Sequence, residues 1–143
     1  MNEKRQVGRG ISILSHKIKR RIGKVSLEYG ISSMQAKILI FVFQQSSKRD
    51  IFQRDIEEEF DIRRSSVTSV LTLMEKNELI KRASVSEDAR LKKLVLTDKG
   101  VYIYKSIFNE IEEIECIISE SLSAEEFDLL WGLIQRLIKK IAD

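Results

Sequence analysis

The sequence predicts a mainly α-helical fold that carries one small β-hairpin. Proline is absent from the 143 residues, although a typical frequency of about 5% would give about seven. Because proline interrupts helices, its absence favours a helical chain. Apolar residues recur at spacings of three and four over most of the chain, which is typical of amphipathic helices. Residues 79–96 instead contain two short strand-like stretches joined by a polar turn, which predicts a hairpin.

Composition and length narrow the class of protein. Hydrophobic residues make up 43% and charged residues 33% of the chain, which indicates a globular domain with its own core. One cysteine, Cys116, excludes an intramolecular disulfide and fits a reducing cytoplasm, where we expect the protein to be located. No apolar run approaches the roughly 18–20 residues that cross a bilayer, and no secretory signal is evident, so we expect no membrane contact.

Two helices are predicted in the first part of the chain. Residues 8–27 form an amphipathic helix, whose stripe consists of Ile11, Leu14, Ile18, Ile22 and Val25. Gly30 is a plausible stop, and Ser32 or Ser33 a plausible N-cap for the next helix. That helix contains six consecutive apolar residues, 38–43, and should be buried. Residues 46–50 form a polar connection.

A short helix over residues 53–59 should turn Ile56 and Phe60 inward, and Asp61 could cap the helix that follows. The apolar face of this next helix consists of Val67, Val70, Leu71 and Met74. At 100° per residue the opposite face consists of Ser65, Ser69, Thr72 and Lys76, flanked by Ser66 and Thr68. Five of residues 65–72 are Ser or Thr, which are mediocre helix formers, and two arginines precede them. Such short hydroxyl side chains let a helix backbone approach DNA.

The hairpin is assigned to residues 79–85 and 91–96, with a charged turn between them. Thr97 should cap a long helix, and Ser123 with Glu126 forms a capping box that begins the last helix. The stripe of the long helix consists of Tyr104, Ile107, Phe108, Ile111, Ile114 and Ile118. The stripe of the last helix consists of Phe127, Leu130, Ile134, Leu137, Ile138 and Ile141.

A short helix, a tight connection at 60–62 and a second helix constitute a helix-turn-helix, which the hairpin makes winged. In such a fold the second helix can enter the major groove of DNA and the wing can lie along the backbone or in the minor groove. The charge is uneven: residues 63–99 contain nine basic and five acidic side chains, within a chain of net charge +3. This basic segment indicates a surface for a polyanion, although a solvated helix face would look the same.

Three segments resemble the MarR family of bacterial transcription regulators. Residues 88–100, Asp-Ala-Arg-Leu-Lys-Lys-Leu-Val-Leu-Thr-Asp-Lys-Gly, resemble the wing signature of the family, Asp-x-Arg followed by a hydrophobic strand and Leu-Thr-x-x-Gly. Residues 65–71 and 74–80 resemble the recognition helix and its Leu-Glu-Lys-x-Gly-Leu-Ile exit. Gly30-Ile31-Ser32 and Gln35 resemble the opening of the second helix.

The resemblance implies a homodimeric transcription regulator, either a repressor or an activator, on a near-palindromic stretch of double-stranded DNA. We expect repression. Arg90 would enter the minor groove at the wing tip, where a narrow groove concentrates negative potential, and Asp88 would orient Arg90 or brace the turn. A salt bridge between the two is the alternative. The expected DNA-contacting residues are Gln53, Arg54, Arg63, Arg64, Ser65, Ser66, Thr68, Ser69, Lys76, Asp88, Arg90 and Lys92.

The resemblance also implies that the terminal helices form the dimer interface, and their stripes are apolar enough to pack between two chains. We expect residues 1–30 and 99–143 to serve dimerisation and residues 31–98 to bind DNA. The expected interface residues are Ile11, Leu14, Ile18, Ile118, Phe127, Leu130, Ile134, Leu137, Ile138 and Ile141. Trp131 should lie in the core or the dimer contact.

Two residues depart from the family pattern. Arg63 stands where a small N-cap is usual, so the cap could shift to Asp61. Asn77-Glu78 replaces the usual x-Gly, which makes Asn77 the expected left-handed residue at the helix end.

Other functions find little support in the sequence. His16 has no nearby partner for a zinc site, so we expect no metal and no cofactor. Cys116 falls in an apolar helix, where a buried thiol is usually inert. No phosphate loop or nucleophile elbow indicates an enzyme. The alternative function is that of a winged-helix module that binds protein instead of DNA.

The family resemblance also implies a small anionic aromatic effector. The basic run Lys17, Lys19, Arg20, Arg21 could contact such an effector, contact DNA phosphates or neutralise an acidic helix.

Overall fold

The structure is a computed structural model that describes residues 5–85 and 88–142, with the side chains of Asp88 and Ala89 left out of the description. Within those residues six helices and one two-stranded antiparallel sheet follow in the predicted order. The elements are α1 (Val7–Glu28), α2 (Ser33–Ser46), α3 (Gln53–Phe60), α4 (Arg64–Lys76), β1 (Ile80–Val85), β2 (Asp88–Leu96), α5 (Asp98–Ser121) and α6 (Ala124–Ile141). The predicted class, mainly α with a small β wing, is confirmed.

Two helices begin with capping boxes: the one at Ser123 was predicted, and at α2 Ser32, one of the two N-caps expected there, forms the other. At α2 the Ser32 hydroxyl accepts from the backbone N–H of Gln35 at 3.2 Å, and Gln35 Oε1 accepts from the N–H of Ser32 at 2.9 Å. At α6 the Ser123 hydroxyl and the Glu126 carboxylate make the same exchange at 3.1 Å and 2.9 Å. Each box satisfies two backbone donors that a helix leaves without partners at its first turn.

The core is formed by the apolar faces of α2, α3 and α4 together with β1, β2 and the first half of α5. Its fully buried members include Ile38, Leu39, Val42, Ile51, Ile56, Leu71, Met74, Leu79, Ile80, Leu94, Ile103 and Ile107. Tyr104 is also buried and stacks on Phe43, with ring centroids 4.0 Å apart. The first part of the predicted α5 stripe therefore packs within one chain and is not available to contact a second chain.

The predicted ends of α3 and α4 need two corrections. Asp61 does not cap α4: its backbone is left-handed, with φ 49° and ψ 53°, and it ends α3. Arg63 occupies the N-cap position of α4. Asn77 is not the left-handed residue after α4, because its φ is −86° and that of Glu78 is 60°. The helix extends one residue further than expected. The left-handed residue that turns the chain toward the buried Leu79 is therefore Glu78, although asparagine adopts the left-handed conformation more readily.

The second strand of the hairpin is longer than predicted and begins at Asp88 instead of Leu91. The pairing runs from Ile80 opposite Leu96 to Ser84 opposite Lys92, and the register then shifts between Ser84 and Val85. Backbone pairing continues through polar residues that the apolar pattern assigned to a turn. Arg90 therefore lies within a strand and not at the turn itself.

The chain forms two compact units, and the boundary between them lies within α5. The first unit ends at Phe108 and the second begins at Asn109. The sequence-based division instead places its boundary at 98/99, and its functional assignment stays a prediction. Among the residues that the structure describes, no helix is both long and apolar enough to span a lipid bilayer.

Candidate nucleic-acid interface

Helix α4 is held by one face and presents the other to solvent. Val67, Leu71 and Met74 are buried and fix the inner face against the core. The hydroxyl-rich face that the sequence predicted is exposed, and it consists of Ser65, Ser66, Thr68, Ser69, Thr72 and Lys76. The side chains proposed for DNA contact thus lie on a rigid support.

The N-terminus of α4 differs from those of α2 and α6. Its N-cap residue is Arg63, and no side chain in the described structure caps the first turn. Arg64, Ser65 and Ser66 follow and are exposed. Backbone N–H groups at an uncapped helix start, together with the positive end of the helix dipole, suit a phosphate group. The arginines add charge and the serines add donors at the same end.

Gln53, the first residue of α3, is hydrogen-bonded to α4. Its Nε2 donates to Thr68 Oγ1 at 2.7 Å and to the carbonyl oxygen of Arg64 at 3.4 Å. Thr68 Oγ1 itself donates to the Arg64 carbonyl at 2.8 Å. Three residues predicted as separate DNA contacts therefore form one polar cluster at the junction of the two helices.

Asp55 fixes the start of α3. Its carboxylate accepts from the backbone N–H of Phe52 at 2.8 Å and from Arg49 Nη1 at 2.8 Å. Burial alone would raise the pKa of Asp55. The hydrogen bonds from Arg49 and Phe52 and the positive charges of Arg49 and Arg54 outweigh that effect, so the pKa of Asp55 falls below its ordinary value of 3.8.

The lowered pKa predicts how the stability depends on pH. Because the folded pKa lies below the unfolded one, the Asp55 carboxylate contributes fully above about pH 3.8, and its contribution is lost as the pH falls through the folded pKa. We expect Asp55→Asn to lower the free energy of unfolding by about 1 kcal/mol at pH 7. Urea denaturation of both proteins from pH 7 downward should show the difference narrowing toward pH 3. A difference that stays constant over that range would contradict this origin.

Four contacts fix the wing relative to α4 and to the loop before α3. Arg82 Nε on β1 contacts Glu75 Oε1 on α4 at 2.6 Å. The N–H of Leu94 on β2 donates to the Ile51 carbonyl at 2.7 Å, and Lys93 Nζ lies 3.6 Å from Asp50 Oδ1. At the base of the wing, the Thr97 hydroxyl donates to the Glu78 carbonyl at 2.5 Å. The wing therefore keeps a defined position relative to the outer face of α4.

Gly100 lies where helix α5 passes the base of the wing. A Cβ atom at this position would lie 2.1 Å from the carbonyl oxygen of Leu79. The same turn is capped by Thr97, whose hydroxyl accepts from the N–H of Gly100 at 3.0 Å. The Thr-x-x-Gly spacing thus combines a helix cap with a close backbone approach that only glycine allows.

The remaining predicted residues occupy varied surroundings. Arg54 is exposed and pairs with Glu58 at 3.1 Å, and Lys92 Nζ donates to Ser84 Oγ at 2.9 Å across the hairpin. Arg90 is exposed on β2. The side chain of Asp88 lies outside the described residues, so its proposed contact with Arg90 stays a prediction. The Arg82–Glu75 pair was not predicted, because residues on a helix and a later strand share no periodic signal.

The segment that contains α4 and Arg90 is similar to a known protein family. Residues 29–91 match the profile described as the MarR family. Over these residues the chain is similar to the MarR family.

Proteins similar to this chain include a curated protein and several solved structures. The HTH-type transcriptional regulator FarR of Neisseria gonorrhoeae is 36% identical over 86 residues, which are 60% of this chain and 59% of FarR. MarR from Oenococcus oeni PSU-1 is 27% identical with a TM-score of 0.68, and the match covers 94% of this chain and 99% of that one. MepR of Staphylococcus aureus in complex with DNA is 21% identical with a TM-score of 0.73, over 91% and 96% of the two chains.

The terminal helices α1 and α6 leave large apolar side chains exposed. On α1, Ile11 and Leu14 are 52% and 56% exposed, and Ile18 is half-buried. On α6, no residue is buried. Its exposed apolar residues are Leu129, Leu130, Trp131, Leu133, Ile134, Leu137, Ile138 and Ile141. Phe127 and Ile118 are half-buried.

Cys116 is exposed, so the expectation of a buried thiol is wrong. It lies with Asn109, Glu112, Glu113 and Ile117 along a shallow groove on α5. The expectation came from the apolar composition of α5, but Cys116 lies outside the apolar stripe of that helix, of which Ile107 and Ile114 are buried. Within residues 5–85 and 88–142, no three His, Cys, Asp or Glu side chains are grouped in a way that could hold a metal ion.

Proposed function

We propose that this protein is a dimeric transcription regulator that binds duplex DNA through α4 and the wing. The observation that carries the proposal is the exposed hydroxyl-rich face of α4, supported by a buried inner face and preceded by an uncapped helix start with two arginines. A helix of this kind fits the major groove, where hydroxyls and arginines contact base edges and phosphates.

The proposed phosphate contacts lie at the start of α4. Arg63 and Arg64 supply charge, and the first-turn N–H groups supply donors. Ser65, Ser66 and Ser69 are the candidates for base edges. Ser69 already donates its hydroxyl hydrogen to the Ser65 carbonyl at 3.1 Å, so in this arrangement it offers DNA an acceptor. Lys76, at the far end of the same face, is a further candidate for phosphate.

Arg90 is the proposed minor-groove residue. It is exposed on β2, and the wing that carries it is joined to α4 through Arg82 and Glu75. Because the wing and α4 would move as one rigid unit, α4 and Arg90 would lie in adjacent grooves of the DNA. A guanidinium suits a narrow A·T-rich minor groove, where the negative potential is strongest.

A second copy of this chain is the proposed partner of the exposed apolar residues on α1 and α6. Apolar side chains cover more than half of the circumference of α6 at 100° per residue, which is far more than an isolated surface helix tolerates in water. Charge favours the same partner, because residues 1–24 contain eight basic and one acidic residue whereas residues 100–143 contain nine acidic and four basic ones. Two copies would place two α4 helices on one near-palindromic site.

Repression and release by a small aromatic molecule complete the proposal. The support is that MepR, which has the same fold, has been solved bound to ethidium bromide, with 20% identity and a TM-score of 0.73 over 99% of this chain. Dissociation of a protein–DNA complex on addition of an aromatic compound would support this part.

The DNA proposal is tested by selecting duplexes from a random pool and measuring affinity at one fixed salt concentration. We expect a preferred sequence, and Arg90→Ala should weaken binding to it about tenfold, the effect typical of a lost groove contact. Lys105→Ala is the matched control, since Lys105 is exposed on α5, away from α4 and the wing in sequence. Unchanged affinity of the Arg90 variant would refute the role of Arg90, and the absence of any enriched sequence would refute specific DNA binding.

A further inference from the structure

The hydrogen bonds of Gln53 determine which end of its amide is available to a ligand. Its two partners are the Arg64 carbonyl oxygen and Thr68 Oγ1, whose own hydrogen is donated to that same carbonyl. Both partners therefore act as acceptors. Only the NH₂ end of the amide can satisfy them, which fixes the side-chain orientation.

The carbonyl oxygen Oε1 of Gln53 takes part in no hydrogen bond with the described residues and remains available as an acceptor. An oxygen acceptor does not bind a phosphate, because phosphate oxygens are acceptors too. In the major groove the donors are the N6 amino group of adenine and the N4 amino group of cytosine. We infer that Gln53 reads an amino group of one adenine or cytosine in each half-site, through Oε1, with Thr68 holding its amide in place.

This inference rests on the proposed DNA binding and changes the roles assigned to two residues within it. Thr68 becomes a positioning residue, because its hydrogen is committed inside α4 and its oxygen to Gln53. Gln53 becomes a specificity-determining residue at the junction of α3 and α4. Since its orientation is fixed before DNA arrives, less side-chain freedom is lost on binding.

The test uses the duplex selected by the wild-type protein and removes one amino group at a time. Each adenine of a half-site is replaced by unsubstituted purine, which lacks the N6 amino group, and each cytosine by 2-pyrimidinone, which lacks the N4 amino group. We expect one position at which the wild-type protein loses about tenfold in affinity. With Gln53→Met, the natural duplex should bind about tenfold more weakly, and the analogue at that position should cause no further loss.

Thr68 variants separate positioning from direct contact. Thr68→Val removes the hydroxyl and keeps the shape, so discrimination at the same position should fall, whereas Thr68→Ser should preserve it. Thermal unfolding shows whether each variant remains folded. An equal analogue penalty in wild type and Gln53→Met, or a Gln53 variant that changes only the salt dependence of binding, would overturn the inference. A wild-type protein that enriches no sequence would refute the proposed function itself.

Discussion

Gly100→Ala should lower the free energy of unfolding by about 2 kcal/mol or more. In an exposed helix the same change usually stabilises by up to about 1 kcal/mol, because alanine is the better helix former. Here the new Cβ would lie 2.1 Å from the Leu79 carbonyl oxygen, which belongs to backbone and cannot rotate away. Either α5 or the base of the wing must shift, and displacements of this kind in a packed region cost about 1–3 kcal/mol.

Urea denaturation measures this effect, with Gly23→Ala as the matched control. Gly23 lies within α1, and a Cβ there would meet nothing within 4 Å. The control should be as stable as the original protein or slightly more stable. A Gly100 variant that behaves like the Gly23 variant would show that the close approach has no energetic consequence.

Placing charge on the apolar face of α6 should convert the proposed dimer into monomers. Ile134 and Leu137 are each 39% exposed in the single chain and lie on the same face of the helix. The double change Ile134→Asp and Leu137→Asp would bury two unpaired carboxylates in the proposed interface. Since leaving one uncompensated buried charge costs about 3–5 kcal/mol, the dimer dissociation constant should rise at least about a hundredfold.

Sedimentation velocity over a range of protein concentrations measures this change. Gln135→Asp is the control, because Gln135 is exposed and belongs to the polar arc of the same helix. The original protein and the control should sediment as dimers, and the double variant as a monomer with helical content retained. A monomeric original protein at micromolar concentration would contradict the proposed interface.

The sequence predicted the order of the elements because each of them depends on local signals. Helical spacing, the Ser32 N-cap, the Ser123 capping box and the two strand-like stretches of the hairpin act within a few residues, and the structure contains all of them. The exposed face of α4 was predictable for the same reason. Once Val67, Leu71 and Met74 are buried, the helical period determines which residues face solvent.

Features that depend on contacts distant in sequence were not predictable. The left-handed residue after α4 is Glu78 and not Asn77, because the position of the turn follows from the burial of Leu79 and not from side-chain preference. The Gln53–Thr68 and Arg82–Glu75 contacts join different elements, and no period relates their residues. The Thr-x-x-Gly motif was recognised by resemblance, but its physical reason required the position of the Leu79 carbonyl.

A footprint on a selected duplex tests most directly whether this chain reads DNA as a dimer through α4. The full chain is bound to the enriched sequence, and hydroxyl-radical cleavage of both strands is then measured. The account predicts two symmetric protected patches whose centres are about one helical turn, roughly 34–36 Å, apart. Protection that does not depend on sequence, or a complete absence of protection beside a salt-insensitive complex with another protein, would contradict it.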